Sequence, residues 1–177
     1  MSHPEPDAAS TPSTSSPSPA QLLRWIDDYE ADAARPARWI AGLSREECLA
    51  HPIPGTWSVQ ELVVHVLESD LVATHRFRRI VAEHLPILYA YDETAFVQRL
   101  DYGRVDLAQA CDLFALNRRF TATWLRTVAP GDFERAGIHT QRGKVALWEF
   151  LRSYVNHPRH HETFLLAKRE KLGKPLV

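Results

Sequence analysis

Apolar residues recur every three or four positions along four stretches of the chain, which is the spacing of one buried face of an α-helix. Helices are therefore predicted near residues 20–43, 58–84, 106–129 and 145–171. Pro36 is expected to kink or interrupt the first helix, because proline lacks the amide hydrogen that a helix interior requires. No alternation of apolar and polar residues indicates a strand, so the sequence predicts an all-α bundle without a sheet.

The second predicted helix has clear signals at both ends. Ser58, with Glu61 three residues later, matches the capping-box pattern at a helix start. The helix is expected to end shortly before Pro86, because proline disfavours helical backbone in the residue that precedes it. The connection that follows, over 86–105, has room for a short helix near 93–100. A link of this length allows a crossover rather than a tight antiparallel return.

The composition is typical of one cytoplasmic domain. The chain has 177 residues, a formal net charge of −1 and two cysteines, Cys48 and Cys111, outside any C-x-x-C pair. The charge predicts no nucleic-acid partner, and no apolar run is long enough to span a membrane. The N-terminus lacks the pattern of a signal peptide. Residues 1–19, which are rich in Ser and Pro, are predicted to be a disordered tail, and 20–177 the bundle domain.

The chain contains nine histidines, and three of them are predicted to point into the bundle. At 100° per residue, two histidines of the fourth helix share one stripe with its large apolar residues. That stripe consists of Leu147, Phe150, Tyr154, His157, His161 and Leu165. His65 faces inward from the second helix, beside the small Ser69, which leaves room for an ion. Since imidazoles one turn apart can meet a single ion, the pattern predicts a mononuclear site for Zn, Ni or Fe on His65, His157 and His161.

A second interpretation of these histidines stays open. A lone histidine on an apolar stripe is more often a hydrogen-bonded core residue than a ligand. Three inward histidines on two helices favour a metal, because one ion satisfies several buried imidazoles together. Pro158 is expected to bend the fourth helix between its two ligands and to shift their geometry. His160 lies off the stripe and is expected near the surface, and a surface or capping position is expected for His51, His75 and His84.

Several short motifs occur in an order that resembles the DinB/YfiT-like superfamily. Residues 54–65 (PGTWSVQELVVH) are similar to that family's opening of the second helix, and Glu68 and Asp70 follow as its acidic pair. Residues 139–143 (HTQRG) resemble the motif that precedes its last helix. Residues 156–161 (NHPRHH) resemble its closing histidine motif. The order and separation of these motifs along the chain carry the resemblance.

The resemblance extends over residues 22–171 and has definite implications for this chain. It implies a four-helix bundle with a long connection between the second and third helices. It also implies a divalent metal on one histidine of the second helix and two of the fourth. These are His65, His157 and His161, the residues already selected by helical phase. The family is often homodimeric, so a homodimer is expected here.

The predicted site suits more than one chemistry. Three protein ligands leave coordination positions open, which is typical of catalytic metal sites. A divalent ion with open positions can activate water, so hydrolysis is one expectation. The resemblance implies another, in which a low-molecular-weight thiol such as bacillithiol, mycothiol or glutathione takes part in group transfer or isomerisation. No acid or base is identified at the site beyond the ligands. A non-catalytic bundle that binds a metal or small molecule in a stress response therefore stays an alternative.

Four side chains are candidates for binding a small-molecule substrate. Arg76 shares the inward face of His65 and could hold an anion, and Tyr154 lies one turn before His157. Ser69 adjoins His65, and His139 is expected in a loop at the entrance. Arg76 could instead form an ion pair at the end of the bundle, and Tyr154 could instead only pack. The tyrosines and acid of the long connection, Tyr89, Tyr91 and Asp92, are expected to form a lid. A supporting or surface role is expected for Glu68 and Asp70.

Overall fold

The described part of the chain, residues 16–176 of a computed structural model, contains seven α-helices, three short 3-10 helices and three short strands. The helices are α1 (Pro19–Ala31), α2 (Arg35–Ile40), α3 (Arg45–Leu49), α4 (Val59–Ala82), α5 (Glu93–Arg99), α6 (Leu107–Leu125) and α7 (Leu147–Lys171). The strands are β1 (Ile87–Leu88), β2 (Ala136–His139) and β3 (Gly143–Ala146). Helices α4, α6 and α7 pack with the α1–α2 segment, so the predicted four-helix bundle is confirmed.

Residues 1–15 of the predicted tail over 1–19 lie outside the described residues, so the disorder of the tail stays a prediction. From residue 16 to residue 176, no helix is both long enough and apolar enough to cross a bilayer.

Proline interrupts the first long helical segment, as the sequence predicts. Helix α1 ends at Ala31, a 3-10 turn covers Asp32–Ala34, and α2 begins at Arg35. Pro36 lies in the first turn of α2, where its missing amide hydrogen has no helical partner to lose. The short helix α3 follows, which the sequence analysis did not identify.

Side-chain caps fix the start of the helix that carries His65. The Glu61 amide donates to Ser58 Oγ at 3.1 Å, and the Ser58 amide donates to Glu61 Oε2 at 2.6 Å. This reciprocal pair is the predicted capping box, and it satisfies amides that the first helical turn leaves without partners. The register of α4 is therefore set from its first residue, which fixes the direction in which His65 points.

A small three-stranded sheet corrects the expectation of a fold without strands. Strand β1 pairs in parallel with β2, and β2 pairs antiparallel with β3. Strands of two and four residues are too short to show an alternating pattern, which is why the sequence analysis missed them. Gly137 allows β2 to approach β1, because a Cβ there would lie 2.6 Å from Leu88 Cδ1. The sheet ties the long connection after α4 to the segment that precedes α7.

Buried polar side chains separate two apolar clusters along the bundle. One cluster includes Ala73, Phe77 and Ile80 of α4 together with Phe150, and the other includes Leu62 and Leu165. On α4, α6 and α7 alike, polar residues fall between the positions that belong to the two clusters. We call this set the polar layer; it consists of Ser69, Asp70, Arg118, Thr121, His157 and His161. Burial of polar groups is costly unless they are paired or bind a ligand, so the polar layer marks the candidate site.

Candidate metal centre

Three histidine side chains from two helices meet in the interior. His65 Nε2 lies 3.3 Å from His157 Nε2 and 3.1 Å from His161 Nε2, and the last two nitrogens are 3.1 Å apart. The exposed fractions of the three residues are only 1%, 9% and 7%, respectively. The nitrogens thus form a nearly equilateral triangle shielded from water, and the group could hold a metal ion.

Helical phase accounts for this convergence. His157 and His161 lie one turn apart on α7, and every member of the predicted stripe on that helix is buried. His160 is half-buried, and its ring contacts Phe164 with 5.1 Å between centroids. On α7, His157 and His161 therefore point into the bundle and His160 lies at its periphery, as helical phase predicts.

The three nitrogens fit a metal ion better than they fit mutual hydrogen bonds. An imidazole nitrogen either carries a proton and donates, or lacks one and accepts. In a triangle of such nitrogens, at least one pair must therefore set two donors or two acceptors against each other. A tetrahedral zinc ion with bonds of about 2.0–2.1 Å would place its ligand nitrogens about 3.3–3.4 Å apart. The spacing of 3.1–3.3 Å is close to that requirement.

The surroundings keep His157 in the neutral form that can bind a metal. Burial lowers the pKa of His157 well below its usual value, and the neighbouring His161, His65 and Arg118 act in the same direction. Neutral imidazole is the form with a free lone pair, so no proton has to leave His157 near neutral pH. The Trp57 ring covers one side of His65, with 4.9 Å between ring centroids.

A carboxylate lies next to the histidine triangle, which the sequence analysis did not predict. Glu93 Oε2 is 3.7 Å from His65 Nε2, and the Glu93 side chain is 17% exposed. Glu93 begins α5, the short helix in the long connection, directly after its N-cap Asp92. The connection therefore supplies an acidic group to the site, and the expectation of no acid or base beyond the ligands is wrong.

Two of the predicted substrate-binding residues contact each other beside the histidines. Arg76 Nη1 donates to the Tyr154 hydroxyl at 3.0 Å, and Arg76 Nη2 donates to the Tyr89 carbonyl at 2.6 Å. The Tyr154 ring in turn packs against His157, with 5.9 Å between centroids. Arg76 is only 6% exposed, and no carboxylate of residues 16–176 forms an ion pair with it. A buried guanidinium without a carboxylate is suited to an anionic ligand.

Comparison with known proteins assigns the family. The family model described as the DinB superfamily matches residues 28–164. The chain belongs to the DinB superfamily. A relative from Oceanobacillus iheyensis is 25% identical over 151 residues, covering 84% of this chain and 87% of the relative. One from Bacillus mycoides is 26% identical over 150 residues, covering 85% and 86%. Both carry the provisional name of metal-dependent hydrolase.

Solved structures support the fold of this DinB-superfamily chain. YfiT from Bacillus subtilis has a TM-score of 0.83 and 24% identity, with 89% of this chain and 91% of YfiT covered. Its description provisionally calls it a metal-dependent hydrolase with an unusual four-helix bundle topology. A DinB-like protein of the same organism has a TM-score of 0.57 at 18% identity, covering 86% and 92%. At these identities the likeness establishes the bundle architecture.

The other two substrate-binding candidates of this DinB bundle occupy different surroundings. The Ser69 hydroxyl lies beside the hydroxyls of Tyr91 and Tyr154, and burial raises the pKa of both tyrosines. His139 ends strand β2 instead of lying in a loop, which corrects its predicted setting. Burial lowers the pKa of His139 to about 4, with Arg76 and Arg142 adding to the effect. His139 is therefore close enough to Arg76 for the arginine's charge to affect its protonation.

The acidic pair of the second-helix motif divides into two roles. Asp70 is buried in an ion pair with Arg118, with 3.0 Å between Asp70 Oδ1 and Arg118 Nη2, so it supports the bundle interior. Glu68 is half-buried near Tyr102, whose pKa it helps to raise.

The remaining predictions concern peripheral residues. His51, His75 and His84 are exposed, as expected. Of the proposed lid residues, Asp92 caps α5, and Tyr89 has a 72% exposed side chain while its carbonyl accepts from Arg76. The connection is thus joined to the site by a hydrogen bond, and its function as a lid stays a prediction.

Proposed function

We propose that this chain is a metal-dependent hydrolase whose divalent ion binds to His65, His157 and His161. The observation that carries the proposal is the buried triangle of Nε2 atoms, with spacings of 3.1–3.3 Å. Zn²⁺, Ni²⁺ and Fe²⁺ all accept imidazole ligands, and three protein ligands leave positions open for substrate and water. The provisional names of the relatives point to the same class of reaction.

The residues around the triangle divide the remaining work. When bound, the ion supplies Lewis acidity, which polarises a substrate carbonyl or phosphoryl oxygen and makes water more acidic. The Glu93 carboxylate, 3.7 Å from His65 Nε2, is placed to accept the proton of the attacking water. It can then return that proton to the leaving group, because a carboxylic acid formed in this way is a proton donor.

The substrate is proposed to be a small molecule with an anionic group. Arg76 is buried, and its recorded partners are a phenol and a carbonyl oxygen, so its charge remains to be balanced. A carboxylate or phosphate of the substrate would supply that balance with charge-assisted hydrogen bonds. Ser69 and Tyr154, beside Arg76 and His157, are proposed to orient the same group.

A panel assay on the full chain tests the proposal. The metal-free protein is loaded separately with Zn²⁺, Ni²⁺ or Fe²⁺, and incubated with small carboxylate-bearing esters, amides and phosphoesters. Hydrolysis that requires the metal and is lost in His157→Ala, but not in the matched variant His160→Ala, supports the proposal. Turnover only after addition of bacillithiol, mycothiol or glutathione contradicts hydrolysis and favours thiol-dependent transfer. Stoichiometric metal without any turnover favours the non-catalytic alternative.

We also propose an assembly and a cellular location. The homodimer rests on the family resemblance, and light scattering at micromolar concentration should give twice the mass of one chain. A cytoplasmic location is consistent with two free, buried cysteines, Cys48 and Cys111, since free thiols persist in reducing compartments.

A further inference from the structure

We infer that Arg118 positions the metal-binding turns of α7 by donating the hydrogen bond that Pro158 takes away from the helix backbone. The inference rests on the proposed metal site, because its consequence is the placement of His157 and His161. It assigns Arg118 a role in positioning and none in contacting the substrate.

Proline creates a gap in the hydrogen bonding of α7 at the metal ligands. Each carbonyl inside an α-helix accepts from the amide four residues later, so the partner of the Tyr154 carbonyl would be residue 158. Pro158 has no amide hydrogen, and its ring crowds the carbonyl four residues earlier. Helix α7 nevertheless continues from Leu147 to Lys171, with Pro158 directly after His157.

A side chain from another helix fills this gap. Arg118 Nη2, on α6, donates to the Tyr154 carbonyl oxygen at 2.8 Å. Tyr154 is 7% exposed and Arg118 is 1% exposed, so water has little access to replace this bond. The carbonyl left without its amide therefore has a buried donor in place, which agrees with the need to pair buried polar groups.

The arginine that makes this bond is itself held rigidly. Arg118 Nε donates to Asp70 Oδ1 at 3.1 Å, and Nη1 donates to the Tyr29 carbonyl at 3.0 Å. Asp70 is fixed in turn, because its Oδ2 accepts from the Tyr29 hydroxyl at 3.0 Å and from Asn117 Nδ2 at 2.7 Å. The guanidinium also lies over the rings of Tyr29 and Phe114. Its three bonded nitrogens thus connect α1, α4, α6 and α7.

The location of the bond gives it a role at the metal site. The Tyr154 carbonyl lies in the turn that precedes His157, so the rigid arginine fixes where α7 enters its metal-binding segment. The expected bend at Pro158 does not prevent the two ligands from meeting His65, since all three Nε2 atoms converge. The geometry assigns that result to the bond from Arg118 to Tyr154.

Substitutions of Arg118 and of Pro158, alone and together, test the inference. Arg118→Lys keeps a positive charge beside Asp70, but one ammonium cannot reproduce the fork that reaches Asp70, Tyr29 and Tyr154 together. Pro158→Ala restores an amide hydrogen for the Tyr154 carbonyl. The two single variants, the double variant and the exposed control Arg119→Lys are compared for zinc affinity by chelator competition, for the Co²⁺ absorption spectrum and for the denaturant midpoint of unfolding.

The expected result is a loss that depends on the proline. Arg118→Lys should weaken zinc binding about tenfold, as substitution of groups that orient metal ligands commonly does, and should alter the Co²⁺ spectrum. In the Pro158→Ala background the same substitution should change zinc affinity less than about twofold, because the amide now holds the carbonyl. Arg119→Lys should leave both readouts unchanged.

Three outcomes would overturn the inference. One is that Arg118→Lys lowers zinc affinity equally in the wild-type and Pro158→Ala backgrounds. Another is that it lowers stability but leaves zinc affinity unchanged. Either result would show that Arg118 is only a structural partner of Asp70. If Arg118→Lys fails to fold, the double variant should fold, and a double variant that also fails counts against the inference. Wild-type protein that binds no zinc would refute the proposed metal site as well, which distinguishes the two failures.

Discussion

Glu93 Oε2 lies 3.7 Å from His65 Nε2, although the two residues belong to helices with different functions in the fold. His65 lies within α4, a bundle helix, whereas Glu93 begins the short helix α5 of the connection. Strand β1 and the bond from Arg76 to the Tyr89 carbonyl fasten this connection to the bundle on the way to Glu93. The connection therefore completes the site as well as joining two bundle helices.

Glu93→Gln should reduce the kcat of hydrolysis about a hundredfold, because the amide cannot accept the proton of water. A hundredfold is the smaller end of the rate effect that a general acid–base group typically contributes. Zinc affinity should change little, since the three histidines remain. Initial rates and chelator competition measure the two effects, with the exposed Glu170→Gln as control. A large loss of zinc would instead identify Glu93 as a ligand.

Removal of any one histidine of the triangle should deplete the metal. His65→Ala, His157→Ala and His161→Ala should each bind far less zinc per chain than wild type, and His160→Ala should keep it. Since protons compete for imidazole, wild-type affinity should fall in acid, and the lowered pKa of His157 shifts its share of that fall below the usual imidazole range. Elemental analysis of identically prepared, untagged proteins provides the measurement. Equal metal content in all four variants would eliminate the site.

Arg76→Gln should raise the KM for an anionic substrate about tenfold or more, the effect of losing a charged hydrogen-bond donor. The KM for a neutral analogue of the same size should hardly change, because the lost interaction is with the charge. Arg79→Gln, one turn closer to the helix end and partly exposed, is the matched control. Equal increases for charged and neutral substrates would show that Arg76 acts only through the fold.

His139 should make folding sensitive to acid. Its pKa is lowered to about 4 in the folded chain, so between the usual value of about 6.5 and pH 4 the unfolded chain binds the proton more readily. The free energy of unfolding should therefore be unaffected by His139 above pH 6.5 and fall below it. His139→Asn keeps an acceptor for the Gln141 and Arg142 amides and should reduce this slope. Urea titrations of wild type and His139→Asn at several pH values measure this slope, with the exposed His75→Asn as control. If the free energy of unfolding falls equally with pH in wild type and His139→Asn, His139 is not the group responsible.

Asp70→Ala should lower the free energy of unfolding by about 3–5 kcal/mol, because it leaves the charge of Arg118 buried without its partner. Arg118 and Asp70 are both 1% exposed, whereas the Arg79–Glu83 pair lies at the surface. Glu83→Ala should therefore lower the free energy of unfolding much less. Denaturant unfolding compares the two, and similar small losses would mean that the buried pair contributes little.

Helical phase made part of the site predictable from sequence. The positions of His157 and His161 relative to Leu165 follow from a rotation of 100° per residue, and the capping box of Ser58 fixes the register for His65. The same reasoning set His160 apart. A side chain within a long regular helix points in a direction that its neighbours in sequence determine, so His65, His157 and His161 could be selected as candidate ligands without a tertiary structure.

Glu93, the small sheet and the bond from Arg118 to Tyr154 depended on the tertiary structure. Glu93 lies in a connection whose path has no periodic signal, and β1 has only two residues. Arg118 and Tyr154 are 36 positions apart, and the sequence indicated only that Pro158 would disturb the helix. Local sequence fixes helix phase because neighbouring backbone hydrogen bonds repeat regularly. The partners of a carboxylate on a connection, or of a carbonyl that lacks its amide, are chosen only when distant helices pack together.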